Sequence, residues 1–349
     1  MLNRRFGLVV GQGPLQTQKL RLAKELGVGW VHLDPVWFEF ETSSGVYDES
    51  KLAQLDEYVR LAREHGFKLQ ATLNQTPEFA RVRPGDKTVP PNLIDYANFV
   101  SFLIDRYKPE AFEPWNEPWY DFDGSNEEYF GVVRTGYETA KAVKPDIKVG
   151  LQYGLSQVSN IYEFLQPCQI SKFPLDVLYA LGVSNYYDYL SCHIYHQGDP
   201  AEKVGADLWN ITDPFIACIE SFLANKGESR DIWITEIGWK SPPITEEQQA
   251  DFMYRGVKML LELPYIKYIQ AYRLQALSSN PLDGPFSMLY DDLTPKPVYT
   301  TYKQIVAEYP TPISPIILLT ELTLGATPIL FVGGAILSQE LKKMGAIPL

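Results

Sequence analysis

The chain has 349 residues, 45% hydrophobic and 21% charged, with a formal charge of −12 and a pI of about 4.9. That is ordinary globular composition, enough for one large domain or two small ones, and the lack of a basic excess argues against a nucleic-acid partner held through its phosphates. The three cysteines, Cys168, Cys192 and Cys218, are odd in number and lack CxxC spacing, so neither a disulfide framework nor a structural zinc site is expected.

Taken in chain order, short apolar runs alternate with amphipathic stretches about eight times. The opening "MLNRRFGLVV" carries a basic pair but too short an apolar run for a signal peptide, and Phe6 to Val10 reads as a first strand. Further strands are expected at Trp30 to Leu33, Lys68 to Leu73, Ala111 to Trp115, Lys148 to Tyr153, Tyr189 to Ile194, Ile232 to Thr235 and Tyr268 to Tyr272. Between them "DESKLAQLDEYVRLAREHG" places Leu52, Leu55, Tyr58, Val59 and Ala62 on one helical stripe and ends on Gly66, a stop signal. In "TEEQQADFMYRGVKMLLEL", Thr245 and Gln248 have the spacing of a capping box. Strand–helix alternation implies a parallel sheet covered by helices, and eight units over about 300 residues suit a closed (β/α)₈ TIM barrel. An open doubly wound sheet lacks support, because "GQGPLQ" after the first strand has only two glycines of a dinucleotide fingerprint and reads as a tight turn.

Two carboxylates stand out. In "FEPWNEPWYDF", Glu117 follows an apolar run and lies among Trp115, Trp119 and Tyr120, with Asn116 beside it. In "DIWITEIGW", Glu236 repeats the setting, with Trp239 three residues on. In a barrel, residues at the carboxyl ends of strands line the active site, so the two glutamates are expected to face each other across one pocket. Apolar walls raise a carboxyl pKa, which suits Glu117 to the role of general acid. Paired carboxylates in an aromatic pocket suit glycosidic bond hydrolysis. Trp37, Trp119 and Trp239 are candidate sugar platforms, and Asn74 and Gln75 candidate contacts for sugar hydroxyls. His32 is expected inside the barrel and His65 as a cation at a helix end. His193 and His196 beside Cys192 lack further ligands at obvious spacing, so no metal is expected.

These motifs resemble those of the clan A glycoside hydrolases. "WNEP" at 115–118 is similar to the acid/base motif of that superfamily and "WITEIGW" at 233–239 to its nucleophile motif. "SCHIYH" at 191–196 resembles its His-x-Tyr on strand six, which implies substrate and nucleophile contacts for His193 and Tyr195. Residues 27–66 resemble the second βα unit of xylosidase-like and cellulase-like members, and "TPKPVYTTYKQI" resembles their closing helix. The resemblance runs from about residue 5 to 308 and implies a retaining mechanism on β-linked poly- or oligosaccharides, with no cofactor. It departs at His32, where relatives usually carry Arg, and at Tyr272-Arg273, where they often carry Trp; Arg273 is the candidate for the missing positive charge beside the nucleophile. The rival reading is a catalytically inactive barrel that binds glycan or serves as a structural protein.

The barrel is expected over residues 1–309, and 310–349 as a separate segment. After the proline-rich linker "PTPISP", Ile316 to Leu337 form a 22-residue apolar stretch, long enough to cross about 30 Å of hydrocarbon as a helix. A tail helix anchoring the protein to a membrane or cell surface is the expectation from this stretch, with a cytoplasmic protein the alternative.

Overall fold

The computed structural model describes residues 2–11, 13, 15–154, 171–195, 198–200, 215–310, 321–324 and 327–330. Eight parallel strands close into a barrel: β1 (Asn3–Val9), β2 (Val28–Leu33), β3 (Lys68–Thr72), β4 (Ala111–Glu113), β5 (Lys148–Gln152), β6 (Tyr189–Ile194), β7 (Asp231–Ile237) and β8 (Ile266–Tyr272). Neighbours in sequence are neighbours in the barrel, and β1 pairs with β8 through Phe6–Ile269 and Val9–Tyr272 to shut it. The expected TIM barrel is therefore the observed fold. Helices cover its outside, and their apolar stripes meet the outward faces of the strands in one continuous core.

Local rules account for the helix ends. Asp48 caps Glu49–Glu64 by accepting from Ser50 and Lys51 N–H, and Gly66, at φ 83°, takes the left-handed turn that stops it. Leu52, Leu55, Tyr58 and Ala62 are buried as the stripe predicts, with Leu61 joining them and Val59 half-buried. Thr245 and Gln248 form the complete capping box of Glu246–Leu261. His65 does sit at a helix end, but burial and nearby Lys24 lower its pKa below the usual 6.5, so it is neutral at pH 7 rather than a cation.

The barrel interior is built in layers. At the amino-terminal end of the strands Trp30, Tyr189, Trp233 and Tyr268 pack against one another, with Tyr189 stacked on Trp233 at 3.9 Å. These rings fit because Gly7 and Gly150 face them: a Cβ on Gly150 would lie 2.6 Å from the Tyr189 ring. Above the aromatic floor lies a buried polar layer of Gln70, Thr72, Glu113, Gln152, Ser191, Thr235 and Gln270. His32 belongs to it, bonding Thr72 Oγ1 at 2.9 Å; burial pushes its pKa down to about 3, so it is a neutral interior residue as expected. The carboxyl ends of the strands lie above this layer.

The chain divides into two compact units, Met1–Tyr309 and Pro310–Leu349. In the second unit Glu321–Leu324 and Thr327–Leu330 pair as a two-stranded antiparallel sheet. These eight residues are extended in place of the expected helix over 316–337, and the membrane anchor expected from that stretch is not supported: among the described residues no helix is long and apolar enough to cross a membrane. Thr320, Thr323 and Thr327 are β-branched and favour extended backbone, and Pro328 cannot donate within a helix. The rest of that stretch lies outside the described residues. Cys192 is buried and free, whereas Cys218 is disulfide-bonded, which corrects the expectation of no disulfide; Cys168 lies outside the described residues.

Candidate active site

Glu236 is the penultimate residue of β7, and Glu117 follows β4 by four residues, so both stand at the carboxyl end of the barrel. Glu117 has φ 43° and ψ 57°, a left-handed conformation uncommon for a residue with a Cβ. Pro118 then opens a four-residue helix in the first helical position, where its missing N–H costs nothing. A register shift between Cys192 and His193 makes His193 the partner of Glu236 across β6 and β7.

These placements bring three groups together. His193 Nδ1 lies 2.9 Å from Glu117 Oε1 and 3.4 Å from Glu236 Oε2, and one ligand atom from each residue falls within 4.8 Å of the others. Tyr195 donates its hydroxyl to Glu236 in a very short hydrogen bond. Gln152, at the end of β5, accepts the Glu117 N–H at 2.6 Å and lies 3.4 Å from Asn116 Oδ1. The three atoms on Glu117, His193 and Glu236 also have the spacing of a cation site. His196 lies outside the described residues.

Burial falls unevenly on the pair. The Glu236 side chain is 11% exposed and that of Glu117 26%. Burial pushes the Glu236 carboxyl up to about 7; His193 opposes that, the Glu117 charge adds to it and the Tyr195 bond opposes it. For His193 burial alone would lower the pKa, but Glu236 and the bonded Glu117 outweigh it and raise it to about 9.

Arg273 follows Tyr272 at the end of β8 and pairs with Asp283 at 2.5 Å, while Asp283 also accepts from Tyr272 Oη at 2.5 Å. Its charge bears on Glu236, as expected, although its ion-pair partner is Asp283. Asn74 donates to Asp34 at 3.2 Å. Asp34 is itself open to solvent although protein surrounds it, which places it in a concavity; burial pushes its carboxyl up to about 6 against the pull of Arg273. Gln75 is turned to Asp121 at 3.0 Å.

The tryptophans need correction. Trp37 is fully buried, stacked on Phe99 and bonded to Glu41, and Trp239 is 2% exposed with its N–H on Gly198 O, so neither has a face for a sugar. Trp119, 7% exposed, packs edge-on to His193 at 5.8 Å and forms the wall behind that imidazole. Their chain neighbours Phe38 and Tyr120 are exposed instead. Sequence reasoning did not single out Gln152 or Glu113; the one available signal was the position of Gln152 at a strand end.

Residues 128–302, half of the chain, match the family described as glycosyl hydrolase catalytic core. No curated protein matches the chain. Among solved structures, a family 39 glycoside hydrolase from Bacteroides cellulosilyticus WH2 superposes with a TM-score of 0.68 at 21% identity, covering 95% of this chain and 69% of that one. A family 5 subfamily 18 enzyme from Bifidobacterium longum subsp. longum, in complex with Manβ1-4GlcNAc, gives 0.66 at 13% identity over 88% of this chain and 80% of that one. A β-glucosidase from Exiguobacterium marinum gives 0.60 at 14% identity over 83% and 86%. At these identities the likeness shows the shared barrel. On the family match the chain belongs to the glycosyl hydrolase catalytic core family, and it is a glycosidase that acts on carbohydrate.

Proposed function

We propose that the chain is a retaining glycosidase of β-linked poly- or oligosaccharides, with Glu236 as nucleophile and Glu117 as acid/base. The observation that carries this reading is the spacing of the two carboxylates, whose nearest relevant oxygens lie within 4.8 Å of each other and of His193 Nδ1. Retaining enzymes hold their carboxyl groups about 5 to 5.5 Å apart, whereas inverting enzymes need roughly 6.5 to 9.5 Å to admit a water. A pair this close falls on the retaining side of that division.

In the first step a Glu236 oxygen forms a bond to the anomeric carbon while the glycosidic C–O bond breaks, and Glu117 gives its proton to the leaving oxygen. In the second, water attacks the same carbon, Glu117 takes its proton, and the ester bond to Glu236 breaks. Tyr195 and His193 hold Glu236 through one oxygen. Ionised Glu236 repels a negative charge on Glu117 and so favours its protonated form; once Glu236 is esterified that repulsion is gone, and Glu117 can act as a base. To Asn116, beside Glu117 in the chain and 3.4 Å from Gln152, this reading gives a contact with a substrate hydroxyl. The β-linked substrate class is supported by the solved structure with Manβ1-4GlcNAc and the β-glucosidase, both of which share the barrel.

The test is the stereochemistry of hydrolysis. Proton NMR during cleavage of 4-nitrophenyl β-glucoside, mannoside, xyloside or galactoside is expected to show the β-anomer of the free sugar first. First appearance of the α-anomer would overturn the double displacement.

A further inference from the structure

Glu113, the last residue of β4, takes no part in the bond-breaking steps and is completely buried. Burying a carboxyl group is costly unless its oxygens are well bonded. Three donors meet them: Gln152 Nε2 at 2.6 Å and Thr72 Oγ1 at 3.1 Å on one oxygen, and Tyr189 Oη at 3.3 Å on the other. The first of these fixes an orientation. An amide that must turn its NH₂ toward Glu113 presents its carbonyl on the opposite side, and there Gln152 Oε1 accepts the backbone N–H of Glu117 at 2.6 Å. That N–H belongs to the residue held at φ 43°, a conformation that persists only where its surroundings impose it.

We propose that Glu113 is a positioning residue for Glu117, acting through the orientation it imposes on the Gln152 amide. The inference rests on the reading of Glu117 as acid/base. The same NH₂ group lies 3.4 Å from Asn116 Oδ1, so a single amide orientation serves both Glu117 and Asn116. What Glu113 supplies is an acceptor on the side of Gln152. Glu113→Gln keeps that acceptor, because its own NH₂ can turn to the Tyr189 hydroxyl, which accepts as well as donates. Glu113→Leu removes it and frees Gln152 to turn over, which would set an NH₂ against the Glu117 N–H.

Two measurements test this on the full chain. With selective ¹⁵N-glutamate labelling, the Glu117 amide proton is expected far downfield in the wild type and in Glu113→Gln, as a short hydrogen bond requires, and shifted upfield in Glu113→Leu. With phenyl β-glycosides, whose leaving group needs a proton, Glu113→Leu should lose about 10- to 100-fold in kcat/KM, the scale of a misplaced acid catalyst. With 2,4-dinitrophenyl β-glycosides the loss should stay below about 3-fold, and Glu113→Gln should stay near wild type on both. A residue that merely stabilised the fold would not change the dependence on leaving group. Should the leucine variant not fold, Gln152→Leu cuts the same link one step on and must show both effects. An unchanged Glu117 amide in the leucine variants, or its loss in a folded Glu113→Gln, overturns the proposal. If the wild type cleaves no glycoside, the acid/base reading fails while the amide shift still decides the relay.

Discussion

Proton placement at the candidate site follows from how two carboxylates share one imidazole. Glu236, the more buried carboxylate, is pushed up to about 7, while His193 between the pair is raised to about 9. A nucleophile must be ionised, so kcat/KM should rise with pH through about 7, as one limb of a profile that belongs to the coupled set. The Glu117 charge contributes to raising Glu236, so Glu117→Gln should move that limb to lower pH when dinitrophenyl glycosides, which need no proton, are the substrate. A limb that stays in place would contradict the coupling. Stability carries the same signature. A carboxyl raised in the folded state contributes stability that is full below its unfolded pKa, near 4.5, and lost as pH rises through about 7. Glu236→Gln should therefore melt higher than wild type at pH 8, by roughly 1–3 kcal/mol at 1.4 kcal/mol per unit, and melt alike near pH 4. Equal melting at both pH values would mean that the folded site does not raise Glu236.

At the scale of the elements, the site stands on an aromatic floor that depends on two glycines. Gly150→Ala would drive a methyl into the Tyr189 ring, whose hydroxyl also bonds Glu113. Overpacking of this kind costs about 1–3 kcal/mol, so the melting temperature should fall and, with Glu113 disturbed, kcat should fall too. Thr245→Ala, which breaks a capping box on the outer ring, should cost about 1 kcal/mol and leave kcat unchanged. Equal kcat losses in the two variants would disconnect the floor from the site. Strands, helix caps and both glutamates were legible because each depends on neighbours in the chain: an apolar run, a Ser/Thr-x-x-Glu/Gln spacing, a carboxylate at a strand end. Gln152 and Glu113 were not, because strands covered on both faces lose the alternation that tells inward from outward residues. In Trp37-Phe38 and Trp119-Tyr120 one ring of each pair turns inward, and only packing decides which.

For the whole molecule, the match over residues 128–302 spans the fifth to eighth strands, while β1 to β4 close the barrel and bring His32, Asp34, Gln70, Thr72, Asn74, Glu113 and Glu117 to its interior and mouth. In the tail, Glu321–Leu324 and Thr327–Leu330 pair as antiparallel strands within the apolar stretch whose length suggests a helix. We propose that Met1–Tyr309 is the complete catalytic domain, since it forms a compact unit by itself. A chain ending at Tyr309 should keep its melting temperature, and its kcat within about 2-fold of the full chain, because a compact unit with its own core folds by itself. Loss of folding on truncation would tie residues 310–349 to the barrel.

The central claim, that Glu117 and Glu236 form a retaining pair with these roles, is tested most directly by the products of azide rescue of the two alanine variants on 2,4-dinitrophenyl β-glycosides. Glu117→Ala should still form the glycosyl-enzyme and release a β-glycosyl azide, because azide attacks the intermediate from the face that water would use. Glu236→Ala cannot form the intermediate, and azide in its cavity should attack from the opposite face to give the α-glycosyl azide. Proton NMR distinguishes the two anomers. One β and one α product is the predicted result; the same anomer from both variants, or near-normal hydrolysis by Glu236→Ala, would contradict the account.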